Sequence, residues 1–246
     1  MGMNKKTALI TGSSRGIGRA IAVALAKDGY EIILHCAGNM AKAEEAKALI
    51  EADGGTARII QADLCDLDAT RELAKQAGDV DVLVLNASLQ IPKKWNEISV
   101  EECMLQLNCN FASSLLLIQA LVPAMQKKGW GRIITIGSVQ ERKPHPNMLI
   151  YSASKAAQTN MVQSLSLQLA QDGITVNNIA PGVIYTDRNV EALSDAAYAQ
   201  KVTATIPVGF YGEPEDCAGM VRLLCSEAGR YITGQSIYID GGKGIQ

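Results

Sequence analysis

The 246-residue chain has little from which to build a metal site or a disulfide framework. Its six cysteines form no CxxC pair, and its two histidines are too few to complete a Cys/His zinc pattern. We therefore expect no metal, and we interpret the cysteines as reduced thiols of a cytoplasmic protein, most of them buried.

Strong net charge and long hydrophobic runs are missing as well. The 23 basic and 25 acidic side chains leave a formal charge of −2, so no overall field favours nucleic acid or an anionic membrane. The most apolar stretch, residues 111–125, falls short of the roughly 20 residues of a membrane helix. The first apolar segment, residues 7–11, is too short for a signal peptide. We expect neither a nucleic-acid nor a membrane partner, and the 48% apolar residues exclude disorder.

Short runs of β-branched residues alternate with longer helical patterns along most of the chain. This alternation is typical of a parallel sheet covered by helices on both faces. Right-handed crossovers then predict a doubly wound, Rossmann-type α/β fold with seven parallel strands in a single domain, residues 1–246. The ligand crevice is expected beyond the carboxyl ends of the strands. The predicted strands are 6–11, 31–36, 56–61, 80–86, 131–137, 175–180 and 236–240, and the predicted helices are 17–27, 41–52, 69–77, 101–126, 151–171 and 214–226.

Two segments depart from this regular pattern. Arg58 places a charge at the centre of the third strand, whereas the other strands have uncharged centres. Residues 186–207 form the least regular stretch, because a helical pattern is interrupted at Ser194 and Asp195. In this architecture such an insert is a candidate substrate lid.

A glycine-rich turn joins the first predicted strand to the first predicted helix. Free N–H groups and the positive end of the helix dipole favour a pyrophosphate at such a turn. An ordinary glycine-rich turn is the alternative, but the strand before and the helix after favour cofactor binding. The predicted cofactor-binding residues here are Gly12, Ser14, Arg15, Gly16, Ile17 and Gly18.

The end of the second strand bears on the choice of cofactor. Residues 35–38 read His-Cys-Ala-Gly, with no acidic side chain to hold a free ribose 2′-hydroxyl or to repel a 2′-phosphate. Arg15 adds positive charge inside the glycine turn, although a solvated surface cation explains it about as well. We therefore favour NADP over NAD.

Two further strand ends offer cofactor contacts. Asp63 and Leu64 follow the third strand, where the carboxylate can accept a hydrogen bond from the adenine amino group; a helix cap is the alternative. Asn86 and Ala87 follow the fourth strand and offer small residues against which a nicotinamide ribose can lie.

The strongest chemical signal is Tyr151 with Lys155 at the start of a helix. A spacing of four places both side chains on one helix face. An ammonium near a phenol lowers the tyrosine pKa from about 10 towards neutrality, where it can exchange protons with a substrate oxygen. Ser138, at the end of the preceding strand, can donate to the same oxygen. An amphipathic pair is the alternative, which the surrounding small residues disfavour.

These residues give the chain a resemblance to the single-domain short-chain dehydrogenase/reductase family, from Lys5 to Gly242. The family's TGxxxGxG turn matches Gly12, Gly16 and Gly18, and its Asn-Ala element matches Asn86 and Ala87. Its serine matches Ser138, its YxxxK matches Tyr151 and Lys155, its PGxxxT matches Pro181, Gly182 and Thr186, and its helix asparagine matches Asn110 better than Asn108.

The resemblance implies a role for each matching residue. Tyr151 would be the general acid/base, Lys155 would lower its pKa and bind the nicotinamide ribose, and Ser138 would orient the carbonyl. Asn110 would anchor a water in a proton relay, with a helix-kink residue as the alternative reading. Ile184 and Thr186 would contact the nicotinamide amide and the pyrophosphate. Leu85 and Ser88 depart from the family's usual NNAG, which puts in doubt how closely the backbone approaches the cofactor there.

The substrate and the assembly follow less directly. The chain resembles both 3-oxoacyl-carrier-protein reductases and glucose 1-dehydrogenases. Gln140, His145 and Met148 precede Tyr151 and are expected at the substrate mouth. Lys93-Lys94 and Arg142-Lys143 can form a basic patch for an acidic carrier, although such pairs are usually just solvated. The family assembles through the helix at 111–125 and the helix that carries Tyr151, so we predict a homotetramer.

The predicted function is therefore an NAD(P)-dependent oxidoreductase that transfers a hydride between the nicotinamide and a carbonyl or secondary alcohol, similar to a 3-oxoacyl reductase. A glucose-type sugar 1-dehydrogenase is the alternative within the same chemistry. A non-catalytic NAD(P)-binding sensor is the alternative of another class, and the intact set of Asn110, Ser138, Tyr151 and Lys155 argues against it.

Overall fold

One parallel sheet carries all seven strands. The structure, a computed structural model, describes residues 5–187 and 189–245, so residues 1–4, 188 and 246 of the predicted domain lie outside the described residues. The sheet order is β3-β2-β1-β4-β5-β6-β7, and the winding reverses between β1 and β4 as expected for a doubly wound sheet. The strands are β1 (Thr7–Ile10), β2 (Glu31–Cys36), β3 (Thr56–Gln61), β4 (Val82–Leu85), β5 (Gly131–Ile136), β6 (Ile174–Pro181) and β7 (Ser236–Ile239).

Helices cover both faces of this sheet, which confirms the predicted fold class. Within the described residues they are α1 (Gly16–Lys27), α2 (Met40–Ala52), α3 (Leu67–Ala77), α4 (Val100–Leu107), α5 (Ser113–Lys128), α6 (Leu149–Leu169), α7 (Val190–Ser194), α8 (Ala196–Thr203) and α9 (Pro214–Cys225). The short helices α7 and α8 occupy the predicted lid segment, and its movement stays a prediction.

The core is divided into two layers by the sheet. One layer packs Leu73 of α3, Leu117 of α5 and Met161 of α6 against it. The other packs Ile21 of α1 and Val221 of α9, among others, against the opposite face. Full burial of such a side chain contributes about 1.5–3 kcal/mol, so the two layers fix the strands whose ends form the site.

Strand β3, which has the charged residue Arg58 near its centre, lies at one edge of the sheet. Arg58 is tolerated there because its guanidinium Nη2 donates to the carbonyl of Ala77 at the end of α3, at 2.7 Å. The side chain therefore ties the edge strand to its covering helix rather than placing an unpaired charge in the core.

The predicted helix 101–126 differs from the helix that forms. Ser99 and Glu102 form a capping box that starts α4 at Val100, and a π-helical turn, Asn108–Ala112, joins α4 to α5. The combined helix, Val100–Lys128, has 29 residues and is by length and composition long and apolar enough to span a membrane, but half of its most apolar part is buried within the protein. The sequence-based estimate of a shorter run was therefore wrong, but Leu117, Leu121 and Met125 of this helix pack into the core.

Candidate active site

A cleft of about 890 Å³ lies beyond the carboxyl ends of the strands, where the doubly wound fold predicts it. For each of the six strands β1 to β6, a residue that follows the strand lines the cleft wall. These residues are Gly12, Ala37, Asp63, Asn86, Ser138 and Gly182, which follow β1 to β6 in that order.

The glycine turn has a geometry that side chains would not tolerate. Gly12 and Gly16 adopt φ values of +63° and +55°, in the left-handed region that favours glycine. A Cβ on Gly18 would lie 2.5 Å from both the Gly12 carbonyl oxygen and the Asn86 amide nitrogen. The glycines therefore keep a backbone cradle open at the amino end of α1, and such a cradle fits a pyrophosphate.

Asn86 holds that cradle from the end of β4. Its Nδ2 donates to the carbonyls of Thr11 and Gly12 at 2.9 and 3.0 Å. The Thr11 hydroxyl in turn accepts the backbone N–H groups of Asn86 and Ala87. Of the two departures from the family pattern, Leu85 is buried in the core and Ser88 lies in the cleft wall. Gly12 packs closely against Ala87, because a Cβ added to Gly12 would lie 3.0 Å from the Ala87 Cα.

His35 supports the same turn, and the sequence analysis missed it as a functional residue. Its Nδ1 accepts the Gly12 N–H at 3.0 Å, so the hydrogen-bond pattern assigns the proton to Nε2, which lies 2.9 Å from the Ala62 carbonyl. Burial lowers the pKa of His35, against a smaller opposing effect of the Ala62 hydrogen bond. The available signal was a polar residue near the end of a strand that is apolar from Ile32 to Leu34.

The end of β2 carries no carboxylate. Ala37, Gly38 and Asn39 line the cleft, and Asn39 caps α2 by accepting the Lys42 N–H. Across the cleft, the Arg15 guanidinium lies 3.9 Å from the Asp187 carboxylate, with both side chains at least half exposed. This long ion pair leaves Arg15 largely solvated.

Asp63 was expected either to contact adenine or to cap a helix. The structure gives the cap of α3 to Asp66 instead, so the capping alternative is wrong. The Asp63 carboxylate accepts the Cys65 N–H at 2.9 Å and lies in the cleft wall together with Leu64.

Ser138 and Tyr151 come together in the cleft wall. A single turn of 3₁₀ helix, Val139–Glu141, follows Ser138. Ser138 Oγ accepts the Gln140 N–H at 3.2 Å, and the Gln140 side chain accepts the Ser152 hydroxyl at 3.0 Å. This chain of contacts fixes the end of β5 against the start of α6, next to Tyr151.

Lys155 lies one helical turn from Tyr151, as the spacing predicts. Its Nζ is 5.6 Å from the centroid of the Tyr151 ring. Lys155 is 1% exposed, and its ammonium donates to the Ile136 carbonyl at 2.8 Å and to Gln158 Oε1 at 3.0 Å. A positive charge is thus held in a buried position near the phenol.

Asn110 and Asn108 both lie in the π-helical turn, where Asn108 Nδ2 donates to the Cys65 carbonyl at 3.4 Å. The Asn110 amide accepts from the Leu89 N–H at 2.7 Å and donates to the Leu89 carbonyl and to Ser154 Oγ. Its side chain is fully buried by these contacts. It ties the segment after β4 to α6, and its role in a water relay stays a prediction.

Glu141 stabilises the turn after Ser138 from the other side. Its carboxylate accepts hydrogen bonds from Thr159, Asn178, Ser236 and Tyr238, at 2.6–3.0 Å. Burial, with a further contribution from the Glu141 hydrogen bond, raises the pKa of Tyr238 to about 12, so its hydroxyl remains a donor. One carboxylate therefore joins α6, β6 and β7 to the Ser138 turn.

Comparison with known proteins identifies the family. The model of the short chain dehydrogenase family matches residues 6–197. The chain belongs to the short chain dehydrogenase family. A 3-oxoacyl-[acyl-carrier-protein] reductase of Staphylococcus aureus is 37% identical over 241 residues, which cover 96% of this chain and 97% of that relative. An L-rhamnose 1-dehydrogenase (NAD(P)(+)) of Azotobacter vinelandii is 35% identical over 96% of both chains.

A solved structure agrees with these relatives. The crystal structure of a 3-oxoacyl (acyl-carrier-protein) reductase from Agrobacterium tumefaciens, with NADP bound, superposes with a TM-score of 0.93 at 36% identity. It covers 98% of this chain and 95% of the other. The assignment of this short chain dehydrogenase as an oxidoreductase, made from its sequence, is confirmed.

The dehydrogenase places its PGxxxT element opposite the glycine turn. Pro181, Gly182, Ile184 and Thr186 all line the cleft. Ile184 forms an isolated parallel bridge with Gly212, and a Cβ on Gly16 would lie 3.3 Å from the Thr186 methyl group.

The three residues predicted at the substrate mouth, Gln140, His145 and Met148, line the cleft, and their contact with a substrate stays a prediction. The predicted basic patch is divided. Lys93 pairs with Glu102 at 2.5 Å, and the Arg142 guanidinium lies over the Tyr238 ring. Lys143, by contrast, lines the cleft.

The cysteines agree with the expectation for reduced thiols. All six are free, four are buried and two are partly buried. Burial is the main cause that raises the pKa of Cys65, Cys217 and Cys225 to about 12.

Proposed function

We propose that this dehydrogenase transfers a hydride between NADP(H) and a carbonyl or secondary alcohol, with an activity similar to that of a 3-oxoacyl reductase. The observation that carries the proposal is the pair of hydroxyls, Ser138 and Tyr151, in one cleft wall with the Lys155 ammonium 5.6 Å from the phenol ring. A carbonyl oxygen needs such donors when negative charge develops on it.

Each of these residues has a distinct task. The nicotinamide, when bound, supplies or accepts the hydride. Tyr151 donates the proton to the substrate oxygen in reduction and removes it in oxidation. Lys155 stabilises the phenolate through its positive charge and binds the nicotinamide ribose. Ser138 orients the carbonyl, and Asn110 positions the segment after β4 and anchors the water of a proton relay.

The remaining cleft residues would hold the cofactor. The glycine turn would take the pyrophosphate, Asp63 and Leu64 would take the adenine, and the PGxxxT element would take the nicotinamide end. The residues assigned to the cofactor are Gly12, Ser14, Arg15, Gly16, Ile17, Gly18, Asp63, Leu64, Asn86, Ala87, Tyr151, Lys155, Pro181, Gly182, Ile184 and Thr186.

Four observations favour NADP over NAD. The end of β2 presents no carboxylate to a 2′-phosphate, and the amino end of α2, which has no acidic residue in its first turn, faces the same part of the cleft through Asn39. Arg15 offers a largely solvated guanidinium that can turn to the phosphate. The NADP bound to the Agrobacterium reductase supports this choice.

A sugar dehydrogenase is the second candidate, because the L-rhamnose 1-dehydrogenase is nearly as similar to this chain as the carrier-protein reductases are. Gln140, His145 and Met148 would then contact the substrate. We further propose a cytoplasmic homotetramer. Assembly through α5 and α6 is the arrangement that the family resemblance predicts, and the exposed apolar side chain of Leu167 on α6 supports it.

The proposal is tested by cofactor titration followed by turnover assays. NADPH is expected to bind more tightly than NADH, by fluorescence, and Arg15→Ala should reduce that preference. Tyr151→Phe should keep NADPH binding and lower turnover of a ketone by about 10²–10⁴-fold. Tyr231→Phe, at a 98% exposed tyrosine, is the matched control and should change neither quantity. Undiminished turnover in Tyr151→Phe would refute the assignment, whereas NADPH binding without turnover of any carbonyl or alcohol would favour a sensor.

A further inference from the structure

Gln140 is fixed at two points in the cleft wall, next to Ser138. Its backbone N–H donates to Ser138 Oγ at 3.2 Å, and its side-chain Oε1 accepts the Ser152 hydroxyl at 3.0 Å. Ser152 lies near the start of α6 and is itself buried. The partly buried side chain of Gln140 is therefore held in a defined orientation where it lines the cleft.

These contacts use the acceptor of the Gln140 amide and leave its donors. A glutamine amide has one carbonyl oxygen and two N–H donors. Within the part of the chain that the structure describes, Gln140 Nε2 donates to no protein acceptor. Since a partly buried N–H group needs an acceptor, this NH₂ group must donate to water or to a bound molecule.

The same turn leaves the Ser138 hydroxyl proton for a substrate. Ser138 Oγ accepts the Gln140 N–H, so its O–H can still donate to a carbonyl oxygen. The 3₁₀ turn Val139–Glu141 follows Ser138 directly, and two residues of such a turn span about 4 Å along its axis. A molecule whose carbonyl meets Ser138 therefore brings the atoms one or two carbons away within reach of Gln140.

Two other polar side chains of the cleft wall are placed differently. His145 is exposed in the loop before α6, and its Nδ1 accepts the Asn147 N–H. Asn189 uses its Nδ2 to donate to the Ile184 carbonyl. Gln140 thus combines an anchored amide with available donors beside Ser138.

We propose that Gln140 is a specificity-determining residue that donates a hydrogen bond to a second oxygen of the substrate, one or two carbons from the reacting carbonyl. The inference rests on the proposed function and specifies its substrate class. Such an oxygen has two sources: the thioester carbonyl of a 3-oxoacyl compound, or the neighbouring hydroxyl of a sugar. Ser152 is the positioning residue that orients the amide.

Two pairs of ketones that differ in one oxygen test this role. Ethyl acetoacetate has an ester carbonyl oxygen that 4-ethoxy-2-butanone lacks, and methoxyacetone has an ether oxygen where 2-pentanone has a methylene group. NADPH oxidation gives kcat/KM for each ketone, and the ratio within a pair is the oxygen preference. The second oxygen also changes the reactivity of the ketone itself, but equally for every variant, so that effect cancels when ratios are compared.

Two substitutions separate the donor from the shape of the side chain. Gln140→Leu removes the amide, whereas Gln140→Glu keeps an acceptor for Ser152 and replaces the NH₂ group by an oxygen that cannot donate when ionised. Both should lower the oxygen preference in at least one pair by about threefold to tenfold, the range of a hydrogen bond between neutral groups. Gln76→Leu is the matched control and should keep the wild-type ratios, because Gln76 is exposed on α3 and lies outside the cleft wall.

Ser152→Ala tests whether Ser152 acts through the amide. It should lower the same ratio, with no further loss when it is combined with Gln140→Leu. A purely structural role would lower kcat/KM for both members of a pair alike and leave the ratio unchanged. An unchanged ratio in Ser152→Ala, or an added loss in the double variant, would overturn the positioning of Gln140 by Ser152.

The pair that responds identifies the source of the oxygen. A fall with ethyl acetoacetate supports the 3-oxoacyl class, and a fall with methoxyacetone supports an oxygen on the neighbouring carbon, as in a sugar. Wild-type ratios in both pairs, for either Gln140→Leu or Gln140→Glu, would overturn the role of Gln140 while leaving the proposed reductase in place.

A binding assay keeps the two proposals separable. Absence of turnover with all four ketones would count against the proposed function. NMR titration of the ketones onto Tyr151→Phe with NADPH gives their dissociation constants without turnover. Adding Gln140→Leu in that background should lower the same ratio of affinities, and an unchanged ratio there would overturn the role of Gln140 whatever the turnover assays show.

Discussion

His35 is a single residue on which the glycine turn depends. Its neutral imidazole accepts the Gly12 N–H, and this acceptor is lost when Nδ1 is protonated. Because burial lowers its pKa in the folded state, the unfolded chain binds a proton at a higher pH than the folded chain does. The stability that depends on neutral His35 is complete above its ordinary pKa of about 6.5 and is lost as the pH falls below that value towards the folded-state pKa.

We predict that His35→Asn flattens the dependence of stability on pH. The free energy of unfolding of the wild-type chain, from urea titrations between pH 7 and 5, should fall more steeply than that of the variant, by at most about 1.4 kcal/mol per pH unit for one proton. His145→Gln is the control, because it removes the other histidine of the chain from an exposed loop. If the free energy of unfolding depends equally on pH in His35→Asn and in the wild type, protonation of His35 is not the cause of that dependence.

At the scale of elements, the packing around a helix decides whether a glycine in it can be replaced by a larger residue, and the glycine turn packs closely against α1. Gly18 lies in the first turn of α1, where a Cβ would contact Gly12 and Asn86 at 2.5 Å. Gly219 lies in the middle of α9, where nothing lies within 4 Å of an added Cβ. The same residue type therefore has opposite consequences in two helices.

We predict opposite effects for the two alanine variants. Gly18→Ala should lower the free energy of unfolding by about 1–3 kcal/mol through overpacking and should weaken NADPH binding. Gly219→Ala should raise the free energy of unfolding by roughly 0.5–1 kcal/mol, because alanine loses less backbone entropy in a helix. Urea denaturation and NADPH fluorescence measure both quantities. A Gly18→Ala protein with wild-type stability and affinity would contradict the close packing of the turn.

At the scale of the whole molecule, exposed apolar side chains on different helices are expected to differ in whether subunit assembly buries them. Leu167 on α6 is 84% exposed and Leu49 on α2 is 51% exposed, although both helices pack on the same sheet. Only α6 is among the helices proposed for assembly. Burying Leu167 between subunits would remove its apolar surface from water.

We predict that Leu167→Glu disrupts the proposed tetramer, because a carboxylate buried at an interface without a partner is costly. Leu49→Glu should leave the assembly intact. Light scattering after size-exclusion chromatography gives the mass of each variant. A tetramer that survives Leu167→Glu would exclude this part of α6 from the interface, and a wild-type monomer would refute the assembly itself.

Local sequence patterns determined the strands and helices of this protein and part of its candidate site. The alternation of β-branched runs and helical patterns predicted every strand of the seven-stranded sheet to within a few residues, because strand and helix periodicities are properties of neighbouring residues. The spacing of four between Tyr151 and Lys155 fixed their common helix face for the same reason. Gly29, Gly54 and Gly129 follow the ends of α1, α2 and α5, where each adopts the positive φ that glycine allows.

Only the tertiary structure decided which distant groups meet. The contact between Lys143 and Lys243 joins residues 100 positions apart, and the four donors on Glu141 come from α6, β6 and β7. The pairing of His35 with Gly12 depends on the register between β1 and β2. Such contacts are set by the packing of whole elements rather than by local preference, so the sequence names the chemistry of a residue while the fold selects its partners.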